Sequence, residues 1–315
     1  MRRRSGPRLQ WIIARGSMGN TLNRMRSYLR AISDVALGKK VAGRGVTVMQ
    51  DDVFLVSYPR SGNTWTRFLV GNLASENEPV TFSNIERKVP SIYELPDRTL
   101  RGLPRVLKSH ESFDPRYPRV IYIVRDPRDV AVSFYHFNIK MRRFGDDFPL
   151  DEFVNRFIDT RIVPEVDRYG SWRDHVLGWL QLRGDRKNFK LIRYEDLQAR
   201  PLEELAKIAT LLRLEPTQER LERAIALSSS DHMRKLEKTQ SKDWRLTRNS
   251  RQDKPFVREA KVQGWKQSLS EASVSQIENA WGDVMQRLGY ELVSSISAKK
   301  TETTISDEKN ATTAN

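Results

Sequence analysis

Four short apolar runs stand along the chain, and helix-like patterns follow three of them. The runs span residues 52–58, 105–108, 120–124 and 189–194. Runs of this length with little polar alternation are typical of strands that are covered on both faces. Apolar residues at three- and four-residue spacing continue after the first, third and fourth runs. Strands that alternate with helices predict an α/β fold with three layers, α/β/α, around a central parallel sheet.

Two further helices and one loop are predicted in the second half of the chain. Ser171 is a candidate cap for a helix that carries Trp179, and a closing helix ends at Gly289. Residues 230–259 are rich in Lys, Arg, Gln, Ser and Asp and have little apolar pattern. That composition predicts a long mobile loop, of the kind that is often functional.

Charge distinguishes the N-terminal end of the chain from its body. The net charge is +15, and residues 1–45 contribute +10 of it, with 11 basic residues and one acidic residue. The pattern predicts a basic, partly helical N-terminal extension over 1–45, a single domain over 46–295 and a disordered C-terminal tail over 296–315. Three interpretations of the extension stay open: a solvated helix packed on the domain, peripheral contact with an anionic membrane, and an organelle-targeting segment.

Composition excludes several classes of protein. The 315 residues include no cysteine, which excludes disulfide scaffolds, cysteine nucleophiles and thiolate metal sites. No stretch approaches about 18 consecutive apolar residues, so no transmembrane helix is predicted. Outside the extension the chain is only mildly basic, and nucleic-acid binding is therefore not expected. No cluster of histidines and carboxylates has a metal-ligand spacing, so no metal is predicted.

The first candidate for chemistry is residues 58–65, YPRSGNTW, between a predicted strand and a predicted helix. Gly62 would let backbone N–H groups approach a phosphate at the helix N-terminus. The side chains that add donors or charge to this loop are Arg60, Ser61, Asn63 and Thr64. The segment lacks the G-x-x-x-x-G-K-[ST] of a Walker A loop. From the pattern alone, an anion-binding loop and an ordinary capped helix start both stay open.

Two more candidate segments follow predicted strands. Lys108 and His110 follow the second strand, and a histidine with a pKa of about 6.5 suits general-base work. Arg125 follows the third strand and Ser133 lies in the next helix, where the two could bind a phosphate. Ligands of parallel α/β sheets bind at the carboxyl ends of the strands, so the three segments are expected to meet. Two alternatives stay open: a structural role for His110, and an internal salt-bridge network among Arg125, Asp126, Arg128 and Asp129.

In this order, the three segments resemble the cytosolic-type sulfotransferases, a P-loop-like family that uses 3′-phosphoadenosine 5′-phosphosulfate (PAPS). The family pattern Y-P-K-S-G-T-T-W stands here as YPRSGNTW, and its K-[ST]-H stands as Lys108-Ser109-His110. Its 3′-phosphate segment stands as IYIVRDPRDVAVSFYHF, and the segments SWRDHVLGW and YED also match. The resemblance covers roughly residues 52–290. It implies a P-loop-NTPase-like fold and in-line transfer of a sulfuryl group from PAPS to a hydroxyl or amine.

The resemblance also implies a role for each matching residue. Arg60, in place of the family's lysine, and Lys108 would stabilise the transferring sulfuryl group, and His110 would take the acceptor's proton. The residues implied to bind the donor are Arg60, Ser61, Gly62, Asn63 and Thr64 at the 5′-phosphosulfate, Trp65 and Tyr194 at the adenine, and Arg125, Ser133 and Arg258 at the 3′-phosphate.

The chain departs from the family pattern at two places. Ser230 stands where the family has a phenylalanine that stacks on the adenine. The segment that begins at Arg258 replaces both motif glycines, with Ala260 and Gln263. We expect the conformation of that loop to differ, because these residues accept positive φ less readily than glycine. The family's dimer motif is not evident, so a monomer and a homodimer both stay open.

The resemblance implies a cytoplasmic enzyme with a small-molecule, lipid or carbohydrate acceptor and no metal. Two other functions stay open. One is a nucleoside or sugar kinase that uses ATP and Mg²⁺, against which the missing Walker Lys-Ser/Thr pair argues. The other is a non-enzymatic basic protein that binds nucleic acid or anionic glycans with a steep salt dependence.

Overall fold

In the computed structural model, the described residues are 46–75, 77–94, 100, 106–163, 167, 169–258 and 261–294. The chain divides into two compact units between Thr47 and Val48, and nearly all described residues belong to the second. The N-terminal extension and the C-terminal tail, predicted over 1–45 and 296–315, lie outside the described residues, as does Ala260.

A four-stranded parallel sheet forms the centre of the second unit. The strands are β1 (Val53–Ser57), β2 (Val106–Ser109), β3 (Arg119–Val124) and β4 (Phe189–Arg193), in the order β2-β1-β3-β4. β1 pairs with both neighbours, so that Leu55 lies beside Lys108 of β2 and Ile121 of β3. The four apolar runs are therefore the four strands, as predicted.

Helices flank this sheet. They are α1 (Asn63–Ala74), α2 (Ile85–Lys88), α3 (Pro127–Lys140), α4 (Leu150–Ile158), α5 (Trp172–Arg183), α6 (Tyr194–Ala199), α7 (Pro201–Leu212), α8 (Gln218–Ala226), α9 (Ser230–Gln240), α10 (Trp265–Ser268) and α11 (Glu271–Arg287). The predicted cap at α5 is present, because the Ser171 hydroxyl accepts the N–H of Asp174 at 3.1 Å. Among the described residues, no helix is long and apolar enough to cross a membrane.

The two faces of the sheet pack against different layers, because successive side chains of a strand point to opposite sides. On one face, Leu55 and Ile121 are fully buried in an aliphatic cluster that includes Leu69 of α1 and Ile208 of α7. On the other face, Tyr122 of β3 packs against Trp179 of α5, with ring centroids 6.1 Å apart. The predicted three-layer α/β/α architecture is confirmed.

The prediction of a mobile loop over residues 230–259 is wrong. Its first part is the helix α9, which Ser229 caps by accepting the N–H of His232 at 3.3 Å. Met233 is the one residue of this helix that is buried, so the helix has no apolar stripe for a periodicity search to find. Beyond it, Trp244 and Phe256 belong to a buried aromatic cluster with Phe68 of α1.

A buried lysine ties the rest of that segment to α3. Lys140 is 1% exposed, and its Nζ donates to the carbonyls of Arg251 at 3.0 Å and Lys254 at 2.6 Å. The same Nζ lies 3.6 Å from the carboxylate of Glu237 in α9. A charge that is removed from water to this extent is tolerated because it is paired and hydrogen-bonded. Segment 251–257 is therefore held in place from both α3 and α9.

A predicted functional segment follows each strand at its carboxyl end. The loop of residues 58–62 follows β1, His110 follows β2, Arg125 follows β3, and Tyr194 follows β4. Since the strands are parallel, all four segments meet at one edge of the sheet, where the crevice of an open α/β fold lies.

Candidate active site

The loop after β1 turns sharply into α1 through two left-handed residues. Arg60 has φ +70° and Gly62 has φ +95°. A Cβ at Gly62 would lie only 2.4 Å from a ring carbon of Tyr194, so the loop needs glycine for space as well as for conformation. Ser61 is fully buried and its hydroxyl has no partner within the described part of the chain. The first N–H groups of α1 also lack intrahelical acceptors, so the turn presents donors for an anion.

The side chain of Asn63 points towards the sheet, so the side-chain donors on the other side of the loop come from its neighbours. Its side-chain amide donates to the Leu55 carbonyl at 3.4 Å and to the Ser57 hydroxyl at 3.2 Å. It thereby links the loop to the carboxyl end of β1. We expect Asn63 to contribute to anion binding through its backbone N–H, with its side chain holding the loop.

Arg60 lies between two aromatic rings at the mouth of the loop. Its guanidinium carbon is 4.6 Å from the ring centroid of Phe137 and 4.9 Å from that of Phe256, within cation–π range. Its Nε donates to the hydroxyl of Ser133 at 3.3 Å. Desolvation, followed by repulsion from Arg125 and Arg258, lowers the pKa of Arg60 to about 9. The crowding of three guanidinium groups favours binding of a polyanion.

Arg125 lies over the ring of Tyr194, with its guanidinium carbon 4.3 Å from the centroid. One terminal nitrogen donates to the Lys261 carbonyl at 3.1 Å, whereas Nε is buried and has no partner within the described part of the chain. Its distance to the Asp129 carboxylate is 3.8 Å, which is long for a bonded ion pair. Most of the hydrogen-bonding capacity of this guanidinium is therefore directed away from its acidic neighbour.

The alternative of an internal salt-bridge network applies to the neighbouring arginine. Arg128 donates to Asp126 at 2.7 Å and to Glu278 of α11 at 2.6 Å. All three side chains are nearly fully buried. This network anchors the start of α3 to α11, and Arg125 lies just before it.

The segment that follows Arg258 keeps a left-handed residue without the family's glycine. Gln263 has φ +59°, and the carboxylate of Asp129 accepts its N–H at 2.9 Å and that of Trp265 at 2.9 Å. A non-glycine residue in this conformation costs roughly 1–2 kcal/mol. The two hydrogen bonds to one carboxylate offset that cost. Repulsion from Arg258 contributes to the lowered pKa of Arg60, so the two guanidinium groups lie close to each other.

Trp65 and Tyr194 form an aromatic pair beside the loop. Their rings meet edge to face with centroids 5.4 Å apart, and the indole N–H of Trp65 donates to the Ser228 carbonyl at 3.0 Å. The pair offers a partly apolar aromatic wall next to the cationic groups. Ser230, in place of the family's stacking phenylalanine, begins α9 two residues further on.

His110 is held in one orientation by backbone partners. Its Nδ1 lies 2.8 Å from the Ser57 carbonyl, which can only accept, so Nδ1 carries the hydrogen and Nε2 holds a lone pair. Desolvation, followed by repulsion from Lys108 and opposed by the bond to Ser57, lowers the pKa of His110 well below its usual 6.5. The ring is therefore neutral at pH 7, with Nε2 ready to accept a proton.

Lys108 shares an aromatic neighbour with His110. Its Nζ lies 4.9 Å from the ring centroid of Tyr93, and the same ring is stacked on His110 with centroids 6.2 Å apart. Tyr169 meets His110 edge to face at 6.1 Å. His110 thus belongs to a cluster of three rings with Tyr93 and Tyr169, whose own centroids lie 6.2 Å apart, and the ammonium group of Lys108 is close by.

The structure brings the predicted residues into two neighbouring groups. One is cationic and surrounds the loop after β1, through Arg60, Ser133, Arg125 and Arg258. The other is His110 with Lys108, and the Asn63 side chain connects the two through Ser57. The arrangement can bind an extended anion on one side and remove a proton from a bound group on the other.

Sequence patterns missed several residues that shape this site. They are Ser57 and Tyr93 at the base, Phe137 and Phe256 around Arg60, and His175 beneath His110. All these contacts join residues at least 17 positions apart, and local periodicity carries no signal for them. Of these residues only Ser57 lies at a strand end, where the parallel topology could have suggested it.

Replacing Gly62 with alanine should lower the affinity for an adenine nucleotide by at least about 10-fold, because an added Cβ meets Tyr194 and must hold a strained φ. Calorimetric titration would measure the loss. Gly178 is the control, since a Cβ there lies 3.6 Å from its nearest neighbour, an ordinary contact. Unchanged binding by the Gly62 variant would mean that the loop is not the anion site.

Comparison with known proteins identifies the family. The model of the family described as Sulfotransferase domain matches residues 50–289. Human Sulfotransferase 2B1 is 32% identical over 166 residues, which cover 48% of this chain and 43% of the human protein. This chain thus matches less than half of that relative's length. The amine sulfotransferase of Oryctolagus cuniculus is 24% identical over 254 residues, 76% of this chain and 82% of that protein.

Solved structures share the fold. Retinol dehydratase in a complex with retinol and PAP superposes with a TM-score of 0.65 at 20% identity, over 84% of this chain and 88% of that one. A mouse sulfotransferase complexed with PAP gives a TM-score of 0.58 at 22% identity, over 82% of this chain and 91% of that one. The four-stranded sheet, the strand-end loop and the match over residues 50–289 agree with the sequence resemblance, and the chain belongs to the sulfotransferase domain family.

Proposed function

We propose that this protein transfers a sulfuryl group from PAPS to a hydroxyl or amine of a small-molecule acceptor, with His110 as the general base. The observation that carries this proposal is the pairing, at one edge of the sheet, of a cationic loop with a neutral, oriented histidine. Sulfuryl transfer needs both, because a dianionic leaving group must be stabilised while the acceptor loses its proton.

The loop after β1 is suited to the 5′-phosphosulfate. Ser61 offers a buried hydroxyl with no partner among the described residues, beside the unsatisfied N–H groups at the start of α1. Gly62 keeps the backbone open on that side. Thr64, in the first turn of the helix, adds a hydroxyl. An anion bound here would also relieve the repulsion that lowers the pKa of Arg60.

Arg125, Ser133 and Arg258 would hold the 3′-phosphate. The orphaned Nε of Arg125 supports this assignment, since a buried guanidinium N–H without a partner costs free energy that a phosphate would recover. Trp65 and Tyr194 would bind the adenine, whose flat face suits an aromatic wall. With Ser230 in place of a phenylalanine, we expect that wall to supply most of the stacking.

PAPS supplies a sulfuryl group that is already activated. The task of the chain is therefore to position the donor and the acceptor and to stabilise the charge that develops during transfer. Arg60 and Lys108 would balance the negative charge that grows on the leaving phosphate. His110 Nε2 would accept the acceptor's proton as the new bond forms. The tautomer that Ser57 imposes leaves this nitrogen as the acceptor atom.

The acceptor is a small molecule with an apolar or aromatic body. Tyr93 and Tyr169 form one aromatic cluster beside His110, and their rings favour such a body next to the reacting group. The amine sulfotransferase and the retinol complex among the relatives support a small molecule over a macromolecule. A cytoplasmic location fits this role, as for the relative named Cytosolic sulfotransferase 12 of Arabidopsis thaliana.

Replacing Arg125 with alanine should weaken the binding of 3′-phosphoadenosine 5′-phosphate by about 1.5–3 kcal/mol, the range for hydrogen bonds to a charged group. The wild-type protein should bind this nucleotide much more tightly than ATP. Calorimetric titration of both nucleotides measures the two effects. The control is Arg173→Ala, which breaks an exposed ion pair with Asp283 and should change neither affinity.

The same titration separates the proposal from its rivals. Equal affinity for ATP and 3′-phosphoadenosine 5′-phosphate would favour a kinase. Tighter binding to an oligonucleotide than to either nucleotide, lost steeply with added salt, would favour a basic binding protein. A direct test is the appearance of sulfated product from radiolabelled PAPS with a panel of phenols, alcohols and amines.

A further inference from the structure

His175 is a fully buried histidine that the proposed chemistry does not use. It lies in α5, on the side of the sheet opposite the aliphatic cluster, and none of its surface is exposed. Its ring meets Tyr58 edge to face at 5.6 Å and stacks on Tyr122 at 5.8 Å. A buried imidazole must have both nitrogens satisfied, so its partners define what it does.

Both nitrogens of His175 have partners, and these partners fix its tautomer. Nε2 lies 3.1 Å from the backbone carbonyl of His110, which can only accept, so Nε2 carries the hydrogen. Nδ1 lies 2.8 Å from the hydroxyl of Tyr122. Burial lowers the pKa of His175 to about 4, so the ring is neutral at pH 7 and Nδ1 accepts the hydroxyl hydrogen.

His175 therefore completes a set of three anchors on the candidate base. The backbone N–H of His110 donates to the Tyr93 hydroxyl at 2.6 Å, and its ring Nδ1 donates to the Ser57 carbonyl at 2.8 Å. The carbonyl of the same residue accepts from His175. With the backbone held on both sides and the ring held at Nδ1, the direction of Nε2 is determined.

We propose that His175 is a positioning residue, which donates from Nε2 to the His110 carbonyl while its Nδ1 accepts from the Tyr122 hydroxyl, and thereby aims His110 Nε2 at the acceptor. This inference rests on the proposed function, in which His110 is the base. The hydrogen-bond chain runs from Tyr122 in β3 through α5 to the residue after β2. It ties the base to the central sheet.

The chain offers a matched control for this role. Trp179 lies one turn further along α5, is also fully buried, and donates its indole N–H to the carbonyl of Glu111 at 3.1 Å. It thus pins the peptide next to that of His110 from the same helix. If α5 merely docks this strand end, losing either donor should have the same consequence.

The first experiment compares turnover in variants of His175 and its neighbour. His175→Leu removes the donor, and kcat should fall on the order of 10-fold to 100-fold, as for a slightly misplaced catalytic group. KM for PAPS should stay near wild type. His175→Gln, whose amide can still donate to the His110 carbonyl, should recover most of kcat. Trp179→Phe should lower the melting temperature yet leave kcat close to wild type.

A double variant separates positioning from stability. His175→Leu leaves the Tyr122 hydroxyl buried without a partner, and adding Tyr122→Phe removes that hydroxyl, so the melting temperature should rise again. Turnover should stay as low as in His175→Leu, because the His110 carbonyl still lacks its donor. Recovery of kcat together with the melting temperature would overturn the proposal, as would an equal loss of kcat in Trp179→Phe.

A measurement without turnover keeps the inference testable if the proposed function fails. The chain has only four histidines, so ¹⁵N-histidine NMR can resolve each ring. The wild type should show hydrogen on Nε2 of His175 and on Nδ1 of His110. Tyr122→Phe should keep the hydrogen on His175 Nε2, because the His110 carbonyl still accepts it, and should shift the signal of Nδ1, which loses its donor. His175→Leu should shift the His110 signals. Unmoved His110 signals would overturn the inference, whereas absent sulfuryl transfer with these shifts present would overturn only the proposed function.

Discussion

Replacing His110 with asparagine should lower turnover by about 10²–10⁴-fold, the usual contribution of a general base. Asparagine keeps a hydrogen-bonding side chain that the Ser57 carbonyl can hold, but it cannot take up a proton. Affinity for 3′-phosphoadenosine 5′-phosphate should stay near wild type, because His110 lies apart from the cationic group around Arg60. The measurements are kcat with a competent acceptor and calorimetric nucleotide titration.

The role of His110 as the base also predicts how the activity of the wild type depends on pH. Only neutral His110 can act as the base, and its surroundings hold its pKa well below 6.5. The value of kcat/KM should therefore stay constant as the pH falls through 6.5, and decline only at a distinctly lower pH. This acid limb should be missing from the asparagine variant. A His110→Asn variant with more than half of wild-type kcat, where chemistry limits turnover, would exclude His110 as the base.

Replacing Arg128 with methionine should lower the free energy of unfolding by about 3–5 kcal/mol, the cost of breaking a buried ion pair on one side. The carboxylates of Asp126 and Glu278 would be left without their shared partner. Methionine keeps much of the contact with the ring of Trp265, over which the guanidinium lies at 3.9 Å. Urea unfolding followed by fluorescence measures the change.

The control for this stability effect is an exposed arginine. Arg173→Met breaks a pair with Asp283 whose side chains are 37% and 62% exposed, and its cost should be below about 1 kcal/mol. A similarly small loss for Arg128→Met would mean that water or another cation reaches the buried carboxylates. Because Asp126 caps α3, nucleotide affinity should also fall in the Arg128 variant.

The sheet was predictable because its signal is local. Each strand is a short apolar run, and β1 is buried along its whole length, so burial and sequence pattern coincide there. The helix α9 was not predictable in this way, because Met233 is its one buried side chain and the other positions are mostly polar. Its helical form depends on the Ser229 cap and on packing against distant residues such as Phe82.

The candidate site, like the fold, has a part that the sequence predicts and a part that it does not. Arg60, His110, Arg125 and Tyr194 were predictable because each follows a strand, and parallel topology brings strand ends together. The residues that surround each of these four were not predictable from the sequence. The rings that enclose Arg60 come from α3 and from the segment after α9, and their approach depends on the whole tertiary fold.

The arrangement of the strand ends also separates where the chain reacts from where it can be altered. Every proposed ligand-binding group lies at or beyond the carboxyl edge of the sheet, away from the opposite edge. There, between α5 and β4, residues 185–187 form an exposed turn. New chain termini or an inserted reporter domain are best tolerated at such exposed turns. We therefore expect a reporter domain inserted at residues 185–187 to leave the candidate site intact.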